Sequence, residues 1–194
     1  MGWPTFFVRL AGCNLNCAWC DTSYAREGGQ TFTLPEILRK WRETRLPWVQ
    51  VTGGEPLLQE GVYPLLEAFL KEGAMVILET NGSLSLARVP KQVVKVMDLK
   101  CPSSGMSHFM KWDNLAFLDG KDQVKFVIAD ERDYAWAKEK VQAFYLPVYT
   151  QVLFSPAYKR LAPQTLAEWI LKDGLHVRFQ IQLHKLLWGE RRGV

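Results

Sequence analysis

Short apolar runs alternate with segments of helical spacing along almost the whole chain of 194 residues. Such alternation restricts the fold to a mostly parallel α/β sheet of right-handed strand–helix units, either a doubly wound sheet or a complete or partial barrel. In both architectures the chemistry lies at the carboxyl ends of the strands. The predicted strands are 6–10, 49–52, 75–79, 93–99, 124–129, 148–154 and 178–183, and the predicted helices are 34–43, 63–71, 134–144 and 165–172.

Composition predicts a single folded domain over residues 1–194. Hydrophobic residues make up 48% of the chain and charged residues 23%, which is close to the average of globular proteins. No run approaches the roughly 18 apolar residues that cross a bilayer, and the start of the chain lacks the pattern of a signal peptide. We therefore expect a cytoplasmic location and no membrane partner.

The charged residues are spread along the chain. The formal net charge of +4 comes from 24 basic and 20 acidic residues, with one short basic cluster at Arg191 and Arg192. Such a diffuse excess does not favour nucleic-acid binding, so we expect no direct nucleic-acid partner. An anionic small substrate is compatible with it.

A run of three cysteines follows the first predicted strand. Cys13, Cys17 and Cys20 have the spacing CxxxCxxC, which is crowded for a disulfide framework in a chain of this size. Three thiolates on a compact loop can ligate three irons of a cubane and leave the fourth iron open to a small molecule. A structural zinc site is the alternative, but it needs a fourth ligand, and Cys101 and the histidines are distant in sequence. We expect Cys101 to be a small core residue.

Polar and glycine-rich segments accompany the other predicted strands. The string VTGGEP (51–56) ends the second strand, where glycines let the backbone approach a ligand, although a tight strand–helix connection would also use them. The string ETNG (79–82) ends the third strand. It either contributes polar groups to the same carboxyl edge of the sheet or forms a simple Asn-Gly turn. DLK (98–100) ends the fourth, and its lysine could meet a carboxylate or ribose or be an ordinary exposed lysine. Gln151 and Ser155 accompany the sixth strand.

The cysteine loop and the GGEP string (53–56) together resemble the radical S-adenosylmethionine (SAM) superfamily. The resemblance implies an incomplete (β/α), TIM-like barrel of mostly parallel strands, and a [4Fe-4S] cluster whose open iron is chelated by the amino and carboxylate groups of SAM. Reductive cleavage then makes a 5′-deoxyadenosyl radical, which a dry barrel mouth protects from side reactions. The residues assigned to SAM are Gly54, Glu55, Asp98, Leu99, Lys100, Gln151 and Ser155.

Longer strings narrow the resemblance to the 7-carboxy-7-deazaguanine synthase family. They are FVRLAGCNL (7–15) with WCDT (19–22), DLKCPSSG (98–105) and QLHK (182–185). The resemblance implies contraction of the ring of 6-carboxy-5,6,7,8-tetrahydropterin to 7-carboxy-7-deazaguanine with loss of ammonia, on the route to queuosine. It also implies Mg²⁺ as a helper, a flavodoxin-like or other electron donor, and a homodimer.

The same resemblance assigns roles to four further residues. Thr22 would offer a hydroxyl oxygen to Mg²⁺, a hard cation, although it could equally cap a helix. Arg9 would hold the pterin carboxylate through paired hydrogen bonds, although ordinary surface arginines also lie at strand ends. Thr52 would contact the substrate, and His184 would support the site or be structural.

The chain departs from the family pattern at its start. The family opens with a strand carrying a Gln-Gly-Glu segment that touches the substrate, whereas this chain begins Met1-Gly2-Trp3-Pro4, so we expect that N-terminal segment to be missing. Two other functions fit part of the pattern. A radical SAM activase that makes a glycyl radical on a partner protein is the alternative within the superfamily, but the WCDT and PSSG strings favour the pterin enzyme. A non-catalytic iron or zinc module would have no need of the GGEP string.

Overall fold

The computed structural model describes residues 2–191; Met1 and residues 192–194, which the single-domain prediction includes, lie outside the described residues, as does Arg192 of the basic cluster. Seven strands form one sheet in the order β1 to β7. The strands are β1 (Thr5–Leu10), β2 (Trp48–Gly53), β3 (Met75–Thr80), β4 (Val94–Leu99), β5 (Gln123–Ile128), β6 (Gln151–Pro156) and β7 (Arg178–Phe179). The helices are α1 (Leu34–Thr44), α2 (Val62–Lys71), α3 (Glu131–Ala143), α4 (Pro163–Asp173) and α5 (Leu183–Trp188).

Each strand pairs in parallel with the next strand along the chain. Val8 of β1 lies opposite Val51 of β2, and Phe126 of β5 lies opposite Phe154 of β6. The linear order excludes a doubly wound sheet, in which the strand order reverses. Within residues 2–191, β1 and β7 do not pair with each other, so the sheet stays open. The prediction of an incomplete, parallel (β/α) barrel is confirmed, and all the carboxyl ends of its strands lie at one edge.

The core lies between the helices and one face of the sheet. Val49, Leu66 and Phe69 are fully buried there, and the ring of Trp41 in α1 packs edge-on against Phe69 of α2 with 5.4 Å between ring centres. Helix α1 begins with a capping box, in which the backbone N–H of Thr33 donates to a carboxylate oxygen of Glu36 at 2.6 Å. None of the helices between residues 2 and 191 has the length and apolar character needed to span a bilayer.

Two strand predictions differ from the structure by more than one residue at an end. The sixth strand begins at Gln151 instead of residue 148, because Leu146–Val148 forms a 3-10 turn around Pro147, which has no backbone donor for a sheet. The seventh strand ends at Phe179, where its pairing with β6 ends. Residues 180–182 then lead to α5, a short helix that begins at Leu183 and that the sequence pattern did not predict.

The connection from β3 to β4 contains no helix. Residues 81–93 cross over as an irregular loop that is held by the buried side chain of Asn114. The Asn114 amide donates to the carbonyl oxygen of Leu84 at 2.8 Å and accepts from the N–H of Leu86 at 3.0 Å. One side chain therefore satisfies backbone groups that a helix would have paired internally.

Candidate active site

The cysteine loop lies at the carboxyl edge of the sheet, directly after β1. Cys13, Cys17 and Cys20 are half-buried free thiols. The Cys20 N–H donates to the Cys17 carbonyl at 3.3 Å, and the Gly12 N–H donates to the carbonyl of Ala25 at 2.8 Å, which closes the loop on itself. Gly12 has a φ of 94°, in the left-handed region that favours glycine. The loop thus presents three thiols from one short segment.

The surroundings of Cys17 hold the pKa of its thiol above the ordinary value. Burial raises the pKa of Cys17; Lys100 lowers it, while Asp98 and the two neighbouring cysteines raise it. Because the thiolate is the form that binds metal, a positively charged centre beside Cys17 would reverse this balance.

The donor set fits an iron–sulfur cluster. Thiolates are the ligands that such clusters use, and in a cubane each cysteine bonds a different iron. Among residues 2–191, no three His, Cys, Asp or Glu side chains are placed to hold one metal ion. Cys101 is fully buried in the hydrophobic core, and burial raises its pKa well above the ordinary value, so it does not belong to the thiol set.

The two glycines after β2 admit the cysteine loop. A Cβ at Gly54 would lie 2.2 Å from the carbonyl oxygen of Gly12 and 2.6 Å from the Cβ of Cys13. A Cβ at Gly53 would lie 2.2 Å from the carbonyl oxygen of Leu10. The Gly54 N–H donates to that Leu10 oxygen at 3.1 Å. The close approach expected at these glycines is therefore made at least in part by the protein's own backbone.

Glu55 follows the glycines and is fully buried. Its carboxylate accepts hydrogen bonds from the Asn81 N–H at 2.7 Å, the Thr80 hydroxyl at 2.9 Å and the Leu57 N–H at 3.0 Å. Burial raises the pKa of Glu55 above its ordinary value, and these hydrogen bonds, which act in the opposite direction, offset only part of that rise. The side chain therefore ties the loop after β2 to the end of β3 and is not open to solvent.

The ETNG segment is joined to the cysteine loop by a polar network. The Asn81 amide donates to the side-chain oxygen of Asn14 at 3.1 Å and lies 4.0 Å from the sulfur of Cys13. The Asn14 amide donates to the hydroxyl of Ser83 at 2.8 Å, and the Ser83 N–H donates back to Asn81 at 2.9 Å. These contacts favour the interpretation that ETNG contributes polar groups to the carboxyl edge of the sheet.

A chain of charges lines the inside of the open barrel. The Lys100 ammonium lies 3.0 Å from Asp98, and the Lys125 ammonium lies 3.5 Å from Asp98 and 3.9 Å from Glu79. The Thr52 hydroxyl donates to Glu79 at 3.4 Å. Burial raises the pKa of Asp98, but the two lysines outweigh it and hold that pKa below the usual value. Burial lowers the pKa of Lys100, but Asp98 outweighs it, so that the pKa is raised.

One oxygen of this network has no protein partner. Asp98 Oδ1 is buried and has no hydrogen-bond partner among residues 2–191. A buried acceptor without a donor is costly, so this oxygen is suited to a hydroxyl or amino group of a ligand. Leu99, the next residue, is fully buried on the core side, so only its backbone can face the same space.

Thr22 and the C-terminal QLHK segment meet at Asp21. The Thr22 hydroxyl donates to one oxygen of Asp21 at 2.6 Å, and the Gln182 amide donates to the other at 2.5 Å. Burial raises the pKa of Asp21, but these two hydrogen bonds more than offset it and leave the pKa below the usual value. Burial and then Lys185 lower the pKa of His184, which favours its neutral form. The cysteine loop is therefore linked to the start of α5.

Arg9 and Thr52 lie side by side on neighbouring strands. They are partners in the parallel register of β1 and β2, with Thr52 buried and Arg9 exposed. The Arg9 guanidinium lies 5.9 Å from the centre of the Tyr24 ring, at a distance compatible with a cation–π contact.

The two residues expected on β6 lie at opposite ends of that strand. Ser155 is near the carboxyl end and is buried, whereas Gln151 is the first residue, at the amino end. The Gln151 side chain accepts a hydrogen bond from Arg178, and the residue lines an open pocket of about 500 Å³ with Pro147 and Val148. The structure does not bring Gln151 to the edge that carries the cysteines.

Sequence reasoning missed Lys125 and Asp21 as parts of the site. A lysine inside the strand QVKFVI (123–128) could have been noticed, because it falls on the face opposite to the apolar positions. Asp21 is part of the WCDT string, but its hydrogen bond to Gln182 joins residues 161 positions apart, which no local pattern reveals.

Comparisons with known proteins agree with this geometry. The profile described as the Radical SAM superfamily matches residues 8–101. A 7-carboxy-7-deazaguanine synthase from Chlorobaculum tepidum is 43% identical over 197 residues, with 100% of this chain and 90% of that protein covered. The enzyme of the same name from Koribacter versatilis is 41% identical, with 100% and 92% covered.

Solved structures show the same fold. The crystal structure of QueE from Escherichia coli matches with a TM-score of 0.76 at 20% identity, covering 94% of this chain and 86% of that one. Streptococcus suis SuiB, bound to its precursor peptide SuiA, matches with a TM-score of 0.67 at 13% identity, covering 94% and 49%. At such identities the likeness concerns the fold alone. The identity to the relatives, over the full length of this chain, shows that it belongs to the 7-carboxy-7-deazaguanine synthase family of the radical SAM superfamily.

Proposed function

We propose that this chain is a radical SAM lyase that contracts 6-carboxy-5,6,7,8-tetrahydropterin to 7-carboxy-7-deazaguanine, with release of ammonia, in queuosine biosynthesis. The observation that carries the proposal is that the relatives matching the full chain bear the synthase name. The geometry agrees with it, because the cysteine loop, the glycine turn and the charged interior of the open barrel (the lumen) meet at one edge of the sheet. The glycyl-radical activase alternative gains no support from these relatives.

The cofactors would occupy the carboxyl edge. Cys13, Cys17 and Cys20 would each hold one iron of the [4Fe-4S] cluster, which together with SAM supplies the 5′-deoxyadenosyl radical. The residues proposed to face SAM are Gly54, Asp98, Leu99 through its backbone, Lys100 and Ser155, with Glu55 shaping the loop from its buried position. The unpartnered oxygen of Asp98 is the acceptor best suited to SAM.

The substrate would lie deeper in the lumen. Arg9 is proposed to pair with the pterin carboxylate, and its strand neighbour Thr52 to donate or accept a hydrogen bond beside it. Glu79, already held by Thr52 and Lys125, offers a carboxylate to the N–H groups of a pterin. The lumen thus provides both signs of charge, as a zwitterionic or anionic heterocycle requires.

Mg²⁺ is proposed to bind at Thr22. The hydroxyl of Thr22 lies beside the carboxylate of Asp21, and oxygen ligands of this kind suit a hard cation. Substrate oxygens and water would complete the coordination, so few protein ligands are needed.

We also propose a domain organisation, a cellular location, an electron donor and an oligomeric state. Residues 1–194 form one radical SAM domain that works in the cytoplasm, where free thiols such as those of Cys13, Cys17 and Cys20 stay reduced. A flavodoxin-like or other electron donor would reach the cluster from the side of the half-buried cysteine loop. A homodimer would give the exposed apolar side chains of α5, Leu186 and Leu187, a surface to pack against.

Turnover of the reconstituted enzyme tests the proposal. Reduced protein containing about four irons should convert carboxytetrahydropterin to the deazaguanine in the presence of SAM and Mg²⁺, as followed by mass spectrometry. The Cys17→Ala variant should lose the cluster absorbance and all turnover. The matched control is Cys101→Ala, which removes a buried thiol away from the loop and should keep both iron and turnover. If the iron-loaded wild type leaves the pterin unchanged, the proposed substrate is wrong. If Cys17→Ala binds iron fully, the proposed cysteine ligands are wrong.

A further inference from the structure

The PSSG loop contacts the cysteine loop directly. The indole N–H of Trp19, the residue before Cys20, donates to the hydroxyl of Ser103 at 3.0 Å. One residue earlier, the Ala18 N–H donates to the carbonyl oxygen of Ser104 at 3.0 Å. The segment between Cys17 and Cys20 is therefore fastened to the loop that follows β4.

Ser103 is in turn held by Asp133 in the first turn of α3. The Ser103 hydroxyl donates to Asp133 Oδ2, and the Ser103 N–H donates to Asp133 Oδ1 at 2.9 Å. Asp133 is fully buried and also accepts from the Ala129 N–H at 3.0 Å, so it cannot turn away. A carboxylate in this position is stabilised by the amino end of the helix.

The bonds run in one direction, from the indole N–H through the hydroxyl to the carboxylate. Each bond polarises the next one, and the carboxylate at the end makes the serine oxygen a better acceptor for Trp19. Through Ser103, helix α3 thereby fixes the orientation of the Trp19 ring. Because Trp19 directly precedes Cys20, a fixed ring also restrains the backbone of Cys20.

From this chain of contacts we infer that Trp19, Ser103 and Asp133 position Cys17 and Cys20 and so control how firmly the protein holds its cluster. The three are positioning residues, since they act through the cysteines. The inference rests on the proposed cluster ligands. It also gives the WCDT and PSSG strings a shared physical role, because each supplies one side of the same hydrogen bond.

The rate of iron release measures this role without turnover. Anaerobically reconstituted wild type, Trp19→Phe, Ser103→Ala and the double variant would be exposed to an iron chelator and followed by absorbance. Trp19→Phe should release iron about fivefold faster, the change expected for one lost hydrogen bond. Ser103→Ala should release it at least as fast, because it loses the hydrogen bonds to both Trp19 and Asp133. The double variant should match Ser103→Ala, because that substitution already breaks the link to Trp19. The electron paramagnetic resonance spectrum of the reduced cluster should change in the same variants.

Trp41→Phe is the matched control. It also deletes an indole hydrogen bond, from Trp41 to the carbonyl oxygen of Leu46 at 2.7 Å, but within the helical layer. It should lower the free energy of unfolding and leave iron release at the wild-type rate. Wild-type release in the Trp19 and Ser103 variants, a double variant equal to the product of the singles, or equal acceleration in Trp41→Phe would each overturn the inference. A wild type that takes up no iron would instead overturn the proposed cysteine ligands.

Discussion

At the scale of single residues, Gly54 shows how closely two loops of the site are packed. A Cβ at this position would lie less than 3 Å from the backbone of Gly12 and from the Cβ of Cys13, so there is no room for a side chain. The atoms in the way are backbone or a Cβ, which cannot swing aside as a long side chain would.

Gly54→Ala should therefore displace the cysteine loop. We expect the variant to fold but to retain only a small part of the wild-type iron after reconstitution, because Cys13 is moved relative to the other two thiols. Iron analysis and cluster absorbance measure this. Gly120→Ala is the control, since a Cβ at Gly120 meets nothing within 4 Å. Wild-type iron content in Gly54→Ala would show that the loops can separate without loss of the site.

The cysteine spacing alone predicted a loop that binds a metal or a cluster, because all three thiols lie within one short segment and need no tertiary information. Glu55 and Lys125 show where such reasoning ends. The burial of Glu55 depends on donors from Thr80 and Asn81, which belong to the next strand end. The pairing of Lys125 with Asp98 depends on strand register, which a sequence does not state.

At the scale of elements, the two edges of the sheet have different tasks. The carboxyl edge carries the proposed chemistry, whereas the amino edge carries a buried ion pair, with 3.0 Å between the Lys95 ammonium and Asp122. Asp122 also accepts from the backbone N–H of Lys95 at 2.8 Å and of Asp119 at 3.0 Å. This pair joins β4 to the turn before β5.

Lys95→Met should destabilise the protein by about 3 kcal/mol, the low end for a broken buried ion pair. It removes the buried cation of Asp122 and leaves only the more exposed Lys121 ammonium, 3.5 Å from the carboxylate. Adding Asp122→Asn should recover part of that loss, since the remaining charge is removed. Urea unfolding of the iron-free proteins measures both. Iron content per folded molecule should stay at the wild-type value, because the pair lies at the amino edge. Equal stability of the single and double variants would contradict the role of the buried charge.

Most elements followed from apolar periodicity, because six of the seven strands and α1 to α4 have the buried positions that such patterns reveal. α5 is an exception. Its residues Leu186 and Leu187 are exposed, so no buried stripe marks the helix. The β3–β4 crossover is another exception, since its order depends on Asn114, which lies beyond the next strand in sequence.

At the scale of the whole molecule, most of the core lies away from the site. The largest buried side chains, including Phe69, Phe126 and Phe154, pack within the core, whereas Cys13 and Cys17 are partly buried at its margin. We therefore expect the sheet to fold without the cluster, in contrast to small metal domains that unfold without their metal.

Removal of iron with a chelator should leave the far-UV circular dichroism unchanged at room temperature. Without iron the cysteine loop should loosen. Arg26, which is bonded to the side chain of Asn16 and to the carbonyl oxygen of Cys17, should then be released, and trypsin should cut faster after it. Time courses of digestion with and without iron measure this difference. Loss of helical signal on iron removal would mean that cluster and fold are coupled.

Because the sheet is open, the width of the space it encloses can change. In a closed barrel the number of strands and their stagger determine the diameter, so a wider interior needs another strand or a different stagger. Here β1 and β7 share no ladder of hydrogen bonds among residues 2–191, and the gap between them can widen or narrow without breaking one. The size of molecule that such a scaffold admits can thus be altered through side chains at its two margins, while the cysteine loop and its supports stay in place.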